Sequence, residues 1–339
     1  MEQNPARDRF PREVLKAVIH RLKSPSLLSA RALSKEEVEF LFRASHFFLE
    51  AFQRNETPTL LAGKTVAQLF FENSTRTRLA FETAIRKLGG AALTFTPGNS
   101  SLSKGESLTD TVKNLEALRP DAFIVRHSSS GASLHLSRVT SRPIINAGDG
   151  THEHPSQALL DAFTLERKWG SFSGKTVLIV GDLLHSRVAR SNTHLLRTLG
   201  AQVIHCGPAS LVPPLTSNLG AHEVSHSLDP VLPKADAVIC LRIQRERQKS
   251  PLIPSLGEYA TEFGLNARRA QLLKKEAWIL HPGPVNRGVE ITPEIADSAR
   301  SLILEQVTHG VAMRMAILSA LLNPGGLWRL IQPSSDTSP

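Results

Sequence analysis

Short apolar runs alternate along this chain with longer amphipathic segments, and this alternation is what most restricts its fold. Within each run the apolar residues are consecutive, whereas a half-buried strand would alternate apolar and polar positions. The runs fall at residues 64–71, 91–95, 122–125, 143–146, 176–181, 202–206, 236–241 and 277–280. Consecutive apolar positions are typical of parallel strands covered on both faces. The sequence therefore predicts an α/β fold of parallel sheets with helices on both faces.

The length of the chain indicates two domains. At 339 residues it exceeds the usual size of one domain, and a hydrophobic content of 41% is sufficient for packed cores. We expect a first domain over residues 1–157, in which 1–30 are a loosely ordered extension, and a second domain over 158–300. Residues 301–339 are expected to form a helix that packs back on the first domain, followed by a tail.

Composition argues against several classes of protein. The net charge is +9, but the basic residues are scattered and aromatic residues make up only 5% of the chain, which disfavours nucleic-acid binding as the main role. No apolar run approaches the roughly 18 residues needed to cross a bilayer, and no signal peptide is evident, so we expect no membrane association. Cys206 and Cys240 each end an apolar run, which favours buried reduced thiols and a cytoplasmic location.

The segment Ser74-Thr75-Arg76-Thr77-Arg78 joins an apolar run to a helical pattern. A strand that turns directly into a helix presents unpaired N–H groups and a partial positive charge at the turn. Hydroxyl groups and an arginine at this position make a phosphate-binding site. Arg76 and Arg78 do not share a helix face, and Arg76, nearer the helix start, is the better ligand. The alternative is a simple Ser74 cap with solvated arginines.

Other polar residues follow other apolar runs. Arg126 ends the run at 122–125, and His154 and Gln157 follow the run at 143–146. The carboxyl ends of parallel strands form one edge of a sheet, where ligands bind, so we expect these side chains to line one cleft. For Arg126 alone, emergence into solvent is an equally good interpretation. Later runs contribute Arg187, Arg242, Gln244 and His281-Pro282-Gly283-Pro284.

Two other kinds of site are less well supported. His152 and His154 could bind a metal, but no Cys, Asp or His partner stands at the spacing of a zinc protease. The run ending at Gly181 resembles the first strand of a dinucleotide site, but the further glycines are missing. We therefore expect neither a metal nor an organic cofactor. Lys104, beside Gly105, is either a mobile cation or an ordinary surface lysine.

The candidate set contains several cations but no activated serine or cysteine and no paired carboxylates, which argues against covalent or acid–base hydrolysis. It suits two anionic substrates that react through proximity and electrostatic stabilisation.

Taken together, these segments resemble the aspartate and ornithine carbamoyltransferase family over residues 27–322. Phe71-Glu72-Asn73-Ser74-Thr75-Arg76-Thr77-Arg78 is similar to the carbamoyl phosphate signature of the family. The resemblance implies that the phosphate is bound by Ser74, Thr75, Arg76, Thr77 and Arg126. It implies that the carbamoyl group is bound by His154, Gln157, Gly283 and Pro284. It also implies that the catalytic residues are Arg76, Lys104, Arg126 and His154.

The second half of the chain favours aspartate as the other substrate. Ornithine enzymes of the family typically carry a His-Cys-Leu-Pro segment, whereas this chain has His281-Pro282-Gly283-Pro284. Arg187, Arg242 and Gln244 match the family positions that bind the two aspartate carboxylates, and arginines would repel the cationic side chain of ornithine. Lys104 matches a mobile loop that enters the active site of a neighbouring subunit, which implies a homotrimer.

The implied reaction transfers the carbamoyl group of carbamoyl phosphate to the α-amine of L-aspartate, an early step of pyrimidine biosynthesis. The resemblance is also compatible with regulatory or dihydroorotase-like chains as further partners. The Lys104 loop is one residue shorter than in some relatives, so it stays open whether Ser100 or Ser101 reaches phosphate. Three alternatives also stay open: a carbamoyltransferase for another amine, a nicotinamide-dependent oxidoreductase, and a non-catalytic homologue within a pyrimidine-pathway complex.

Overall fold

The structure is a computed structural model and describes residues 21–56, 58–95, 106–212, 219–244 and 252–332. The strands are β1 Thr65–Phe70, β2 Ala91–Phe95, β3 Ala122–His127, β4 Ile144–Asp149, β5 Thr176–Val180, β6 Gln202–Cys206, β7 Glu223–Ser225, β8 Ala237–Cys240 and β9 Trp278–Leu280. The helices are α1 Lys35–Gln53, α2 Thr75–Lys87, α3 Leu108–Glu116, α4 Ala132–Leu136, α5 Pro155–Trp169, α6 Arg187–Thr198, α7 Leu256–Phe263, α8 Ala267–Leu272, α9 Pro293–Ala296, α10 Ile303–Leu322 and α11 Pro324–Ile331.

The strands form two parallel sheets. The first has the order β2-β1-β3-β4 and the second the order β7-β6-β5-β8-β9. Every pairing within both sheets is parallel. The eight predicted apolar runs all form strands, so the predicted α/β fold of parallel sheets with helices is confirmed. The sequence did not predict β7, a three-residue edge strand of mixed polarity.

Burial on both faces explains the consecutive apolar positions of the strands. In β1, Val66 and Phe70 lie in a core shared with α1, α2 and α10. Ala67 and Leu69 point to the opposite face and pack with residues of α3 and α4. Successive side chains of a strand point to opposite faces, so a strand covered on both sides must be apolar throughout. Each large apolar side chain buried in this way stabilises the fold by about 1.5–3 kcal/mol.

Helix α10 follows the second sheet in the chain and packs against α1, α2 and α5. Its residues Met313, Ala316 and Ile317 are fully buried in the core that they share with α1 and β1. At its start Leu304 and Val307 are exposed, whereas most positions from His309 to Ala320 are buried. The closing helix therefore connects the end of the second sheet to the helices of the first.

The segment before α1 is packed against the first sheet. The Leu27 N–H donates to the carbonyl of Ile144 at 2.9 Å, and the Leu27 carbonyl accepts from the Asn146 N–H at 2.8 Å. These bonds extend the sheet beyond β4, and Leu27 itself is buried. Residues 21–30 thus differ from the loosely ordered extension expected for 1–30, because backbone pairing at Leu27 and hydrogen bonds of Lys23 and Ala30 to the side chains of Glu37 and Glu153 fix the segment. Residues 1–20 lie outside the described ranges.

Both cysteines are buried free thiols, as predicted, and they end strands β6 and β8 of the second sheet. Burial raises the pKa of each thiol to about 12, so neither is a reactive thiolate near neutral pH. Among the described helices, none is both long and apolar enough to pass through a bilayer.

Candidate active site

The predicted polar residues follow the carboxyl ends of strands in both sheets. Ser74 follows β1, Arg126 is the penultimate residue of β3, and His154 follows β4. Arg187 follows β5, Arg242 follows β8, and Gly283 follows β9. The carboxyl edge of an open parallel sheet is where ligands bind, because loops and helix starts are gathered there. The structure therefore places the candidate residues at the edges where a ligand site is expected.

Arg126 and Arg187 meet at Gly148. Arg126 lies in β3 of the first sheet, and Arg187 begins α6, the helix that follows β5 of the second sheet. A Cβ atom built on Gly148 would lie 3.0 Å from both Arg126 Nη1 and Arg187 Nε. Glu72 joins them: its carboxylate accepts from Arg187 Nη2 at 2.8 and 2.9 Å, and Arg126 Nη2 lies 3.5 Å from Oε1. Arg126 Nη1 also donates to the Ala147 carbonyl at 3.1 Å. Two guanidinium groups converge here on one carboxylate, which shows that the position attracts an anion.

Arg76 meets the segment after β9. A Cβ atom on Gly283 would lie 3.1 Å from Arg76 Nε, so the guanidinium packs directly on the Gly283 backbone. Gly283 has φ +68°, and its N–H donates to His281 Nδ1 at 2.9 Å. Thr77 is buried, while Thr75 and Arg76 are exposed at the start of α2. Because Ser74 makes no side-chain cap to α2 within the described chain, its hydroxyl is not committed to that helix.

His154 is held at the start of α5 by neighbouring elements. Its backbone N–H donates to Ser191 Oγ of α6 at 2.8 Å, and the Ser191 hydroxyl donates to Glu153 Oε2 at 2.8 Å. Glu153 is buried and also accepts from the Ala30 N–H at 2.6 Å and from the Ser29 hydroxyl. The start of α5 is therefore tied both to α6 and to the segment before α1.

Gln157 contacts a buried carboxylate one turn further along α5. Its Nε2 donates to Asp161 Oδ1 at 2.8 Å. Asn192 Nδ2 donates to Asp161 Oδ2 at 2.8 Å, and Gln306 Nε2 donates to Oδ1 at 2.7 Å. Burial raises the pKa of Asp161 to about 6, although the three amide donors oppose this shift.

Arg242 and Gln244 are positioned through the backbone between them. The Ile243 N–H donates to Glu290 Oε1 at 3.0 Å, and both flanking side chains are half-buried. Glu290 is buried, and its Oε2 lies 3.8 Å from His281 Nε2. The segments that follow β8 and β9 are thus linked through one carboxylate.

Sequence reasoning missed three acidic residues that organise this region: Glu72, Asp161 and Glu290. Glu72 lies inside the quoted signature, but its partners are 54 and 115 positions away, so no local pattern reveals the ion pairs. Only Asp161 could have been noticed in the sequence. It stands in a helix segment that is otherwise apolar, and a buried carboxylate needs hydrogen-bond donors around it. Lys104 lies outside the described residues. Those residues contain no group of three His, Cys, Asp or Glu side chains placed to hold a metal ion.

The arrangement can hold two anions beside each other. Arg76, Arg126 and Arg187 supply charge-assisted donors, and the largely buried setting of Arg126 and Arg187 strengthens their electrostatic interactions. His154 and Gln157 provide further polar groups at the start of α5, which follows β4. Such a site favours a reaction that depends on orienting two anionic reactants and stabilising developing negative charge.

Two family models match the chain. "Aspartate/ornithine carbamoyltransferase, carbamoyl-P binding domain" matches residues 26–167, and "Aspartate/ornithine carbamoyltransferase, Asp/Orn binding domain" matches residues 173–321. The aspartate carbamoyltransferase catalytic subunit of Myxococcus xanthus is 56% identical over 292 residues, which cover 86% of this chain and 97% of that protein.

Solved structures agree with the sequence relatives. Aspartate transcarbamoylase from Trypanosoma cruzi in complex with N-(phosphonacetyl)-L-aspartic acid superposes with a TM-score of 0.81 at 31% identity, covering 90% of this chain and 98% of that one. The same enzyme in complex with carbamoyl phosphate and aspartate has a TM-score of 0.79 at 32% identity, covering 88% of this chain and 96% of that one.

Proposed function

The chain belongs to the aspartate/ornithine carbamoyltransferase family, and we propose that its first sheet binds carbamoyl phosphate and its second binds L-aspartate. It transfers the carbamoyl group to the α-amine of aspartate, giving N-carbamoyl-L-aspartate and phosphate. The observation that carries this proposal is the meeting of Arg126 and Arg187, from different sheets, around one carboxylate at Gly148. A site between the sheets can hold one substrate on each side.

We assign the phosphate to the start of α2 and to the end of β3, through Ser74, Thr75, Arg76, Thr77 and Arg126. His154, Gln157 and the Gly283-Pro284 backbone hold the carbamoyl group. Arg187, Arg242 and Gln244 bind the aspartate carboxylates, together with Lys104. In support, Arg76 packs on the Gly283 backbone, so the proposed phosphate and carbamoyl ligands are adjacent. The Glu72 carboxylate, bonded twice to Arg187, marks a position that suits a substrate carboxylate.

In the reaction, the aspartate amine attacks the carbamoyl carbon, a C–N bond forms, and the bond to the phosphate oxygen breaks. The leaving phosphate accepts the proton that the amine loses. Arg76, Thr77 and His154 stabilise negative charge on the carbonyl oxygen, while Arg126 and Lys104 stabilise the phosphate. The protein thus contributes orientation and electrostatic stabilisation, and no covalent intermediate is needed.

A direct assay tests the reaction. The purified chain is incubated with carbamoyl phosphate and a panel of amino acids, and carbamoylated products are detected. We expect turnover with aspartate. Turnover with ornithine alone would refute the choice of substrate, and the absence of turnover with every amine would favour a non-catalytic role.

Conservative arginine variants test the division between the two substrates. Arg187→Lys keeps a positive charge but loses the planar pair of donors that matches a carboxylate. We expect it to raise the KM for aspartate more than tenfold and the KM for carbamoyl phosphate much less. Arg126→Lys should instead raise the KM for carbamoyl phosphate more than the KM for aspartate. Equal effects on both substrates in both variants would contradict the assignment.

We further propose a cytoplasmic homotrimer in which Lys104 of one subunit enters the site of the next. The family resemblance supports this arrangement, and the two buried free thiols suit a reducing compartment. Lys104→Ala and Arg76→Ala chains should each be inactive alone, yet regain part of the activity when dissociated, mixed and reassembled. If mixed oligomers form without any recovery, the sites are not shared. Regulatory or dihydroorotase-like chains would appear as additional mass in the assembly from the native cell.

A further inference from the structure

Asp161 is the meeting point of three helices that border the proposed carbamoyl site. It is fully buried in α5 and accepts hydrogen bonds from Gln157 of the same helix, Asn192 of α6 and Gln306 of α10, at 2.8, 2.8 and 2.7 Å. All three donors are side-chain amide nitrogens. Isolated carboxylates are not stable in a protein interior, so this set of donors is what allows Asp161 to stay ionised.

An ionised carboxylate can only accept hydrogen bonds, whereas an amide has a donor end and an acceptor end. The Gln157 amide must therefore turn its NH2 group toward Asp161 and its carbonyl oxygen Oε1 away from it. The same constraint acts on Gln306, whose Oε1 accepts from the His281 N–H at 3.0 Å. One carboxylate thus fixes the direction of two amides, and the second of them supports the segment that carries Gly283.

The acceptor of Gln157 is left available. Among the residues that the structure describes, no donor bonds to Gln157 Oε1, in contrast to the buried Gln306 Oε1. A carbonyl acceptor at this point matches the NH2 group of a carbamoyl donor. A reversed amide would present its own NH2 group there, and two donors would oppose each other. An acyl phosphate with a methyl group in the same place would form no hydrogen bond with the Gln157 amide in either orientation.

We infer that Asp161 is a positioning residue that orients Gln157 so that the site prefers a carbamoyl group, with its NH2 end, over other acyl groups. This inference rests on the proposed function, because it concerns how the same site chooses its acyl donor. Asp161 does not touch the substrate and acts through the Gln157 amide.

The protonation state of Asp161 offers a way to test this role. Burial raises its pKa to about 6, and the charged group acting on it is the Arg314 guanidinium of α10, since its other neighbours are neutral amides. Above this pH the carboxylate holds the Gln157 amide in one direction. Below it the protonated carboxyl becomes a donor as well, and the reversed amide is no longer excluded.

The experiment measures kcat/KM with carbamoyl phosphate and with acetyl phosphate, each with saturating aspartate, between pH 5 and pH 8. The ratio of the two values cancels the titration of aspartate and of groups that serve both donors. We expect the wild-type preference for carbamoyl phosphate to fall about tenfold as the pH drops through about 6. A change of about tenfold is what the loss of one hydrogen bond typically causes.

Two variants separate positioning from a general structural effect. Asp161→Asn keeps a carbonyl acceptor for Gln157 and can direct its NH2 group to Asn192 Oδ1, a buried atom that has no hydrogen-bond partner. We expect its preference to stay within about threefold of the wild-type value at pH 8 and to be independent of pH. Asp161→Leu removes the acceptor, so kcat/KM should fall about tenfold more with carbamoyl phosphate than with acetyl phosphate.

The outcomes are distinguishable. A wild-type chain without carbamoyl transfer refutes the proposed function, and this inference with it. An active wild type whose preference is constant with pH, or an Asp161→Asn chain that keeps the same pH dependence, refutes the inference alone. Equal losses with both donors in Asp161→Leu would show a purely structural role. If that variant does not fold, the comparison of wild type with Asp161→Asn decides the question.

Discussion

Gly148 is the residue on which the two converging arginines depend most directly. It has φ +114°, and a Cβ atom there would lie 3.0 Å from Arg126 Nη1 and from Arg187 Nε. Since contacts of 3.0 Å are tighter than nearly all real Cβ contacts, Gly148→Ala should shift one or both guanidinium groups by a few tenths of an ångström. We expect kcat/KM to fall severalfold for both substrates, because guanidinium groups that shift by a few tenths of an ångström lose part of their alignment with the substrates. Steady-state kinetics with each substrate varied in turn would measure this.

Gly170→Ala is a matched control for that substitution. Gly170 also has a positive φ, of +71°, but a Cβ atom there meets nothing within 4 Å. Both variants place alanine at a positive φ, but only Gly148→Ala brings a Cβ atom against the arginines. If the control loses as much activity as Gly148→Ala, the arginine contacts are not the cause.

At the scale of elements, Glu153 connects the start of α5 with α6 and with the segment before α1. It is buried and accepts from the Ala30 N–H and from the hydroxyls of Ser29 and Ser191. In Glu153→Gln an NH2 group replaces one acceptor, so at least one buried donor loses its partner. We expect the free energy of unfolding to decrease by about 1–3 kcal/mol, measured by urea denaturation. The exposed Glu262→Gln should change it by less than about 0.5 kcal/mol.

How well each strand can be predicted from the sequence depends on how it is buried. Strands such as β1 and β5 were predictable because burial on both faces leaves a continuous apolar run in the sequence. The edge strand β7 leaves no such signal, since Glu223 and Ser225 lie at the rim of the sheet. Arg126 and Arg187 were found because they follow strands, but the ion pairs of Glu72 depend on how the two sheets meet. That geometry is not encoded in any local pattern.

For the whole molecule, two buried histidines predict a loss of stability in mild acid. Burial lowers the pKa of His205 to about 4 and that of His309 to about 3, while unfolding restores the ordinary value near 6.5. The folded protein thus binds fewer protons, and the stabilisation present above pH 6.5 is lost as the pH falls toward these values. Between pH 7 and pH 5 we expect each histidine to lower the free energy of unfolding by about 2 kcal/mol.

Denaturation with urea at both pH values measures this effect. His205→Gln and His309→Asn keep a neutral hydrogen-bonding group toward Thr193 and Thr164 and remove the titration. Each should reduce the difference in the free energy of unfolding between pH 7 and pH 5. The raised pKa of Asp161 acts in the opposite direction, so the comparison between variants is the informative quantity. An unchanged pH dependence in both buried-histidine variants would contradict the prediction.

Helix α10 has a consequence for how the protein can be divided. Since α10 comes after the second sheet in the chain and is buried against α1, α2 and α5, the second sheet is inserted within the first half of the molecule. A single cut between α5 and β5 would therefore not yield two independent modules, because the front fragment would expose the apolar surface that α10 covers. Independent production of the front half would require residues 303–322 to be joined to it by a new linker, with the insert removed.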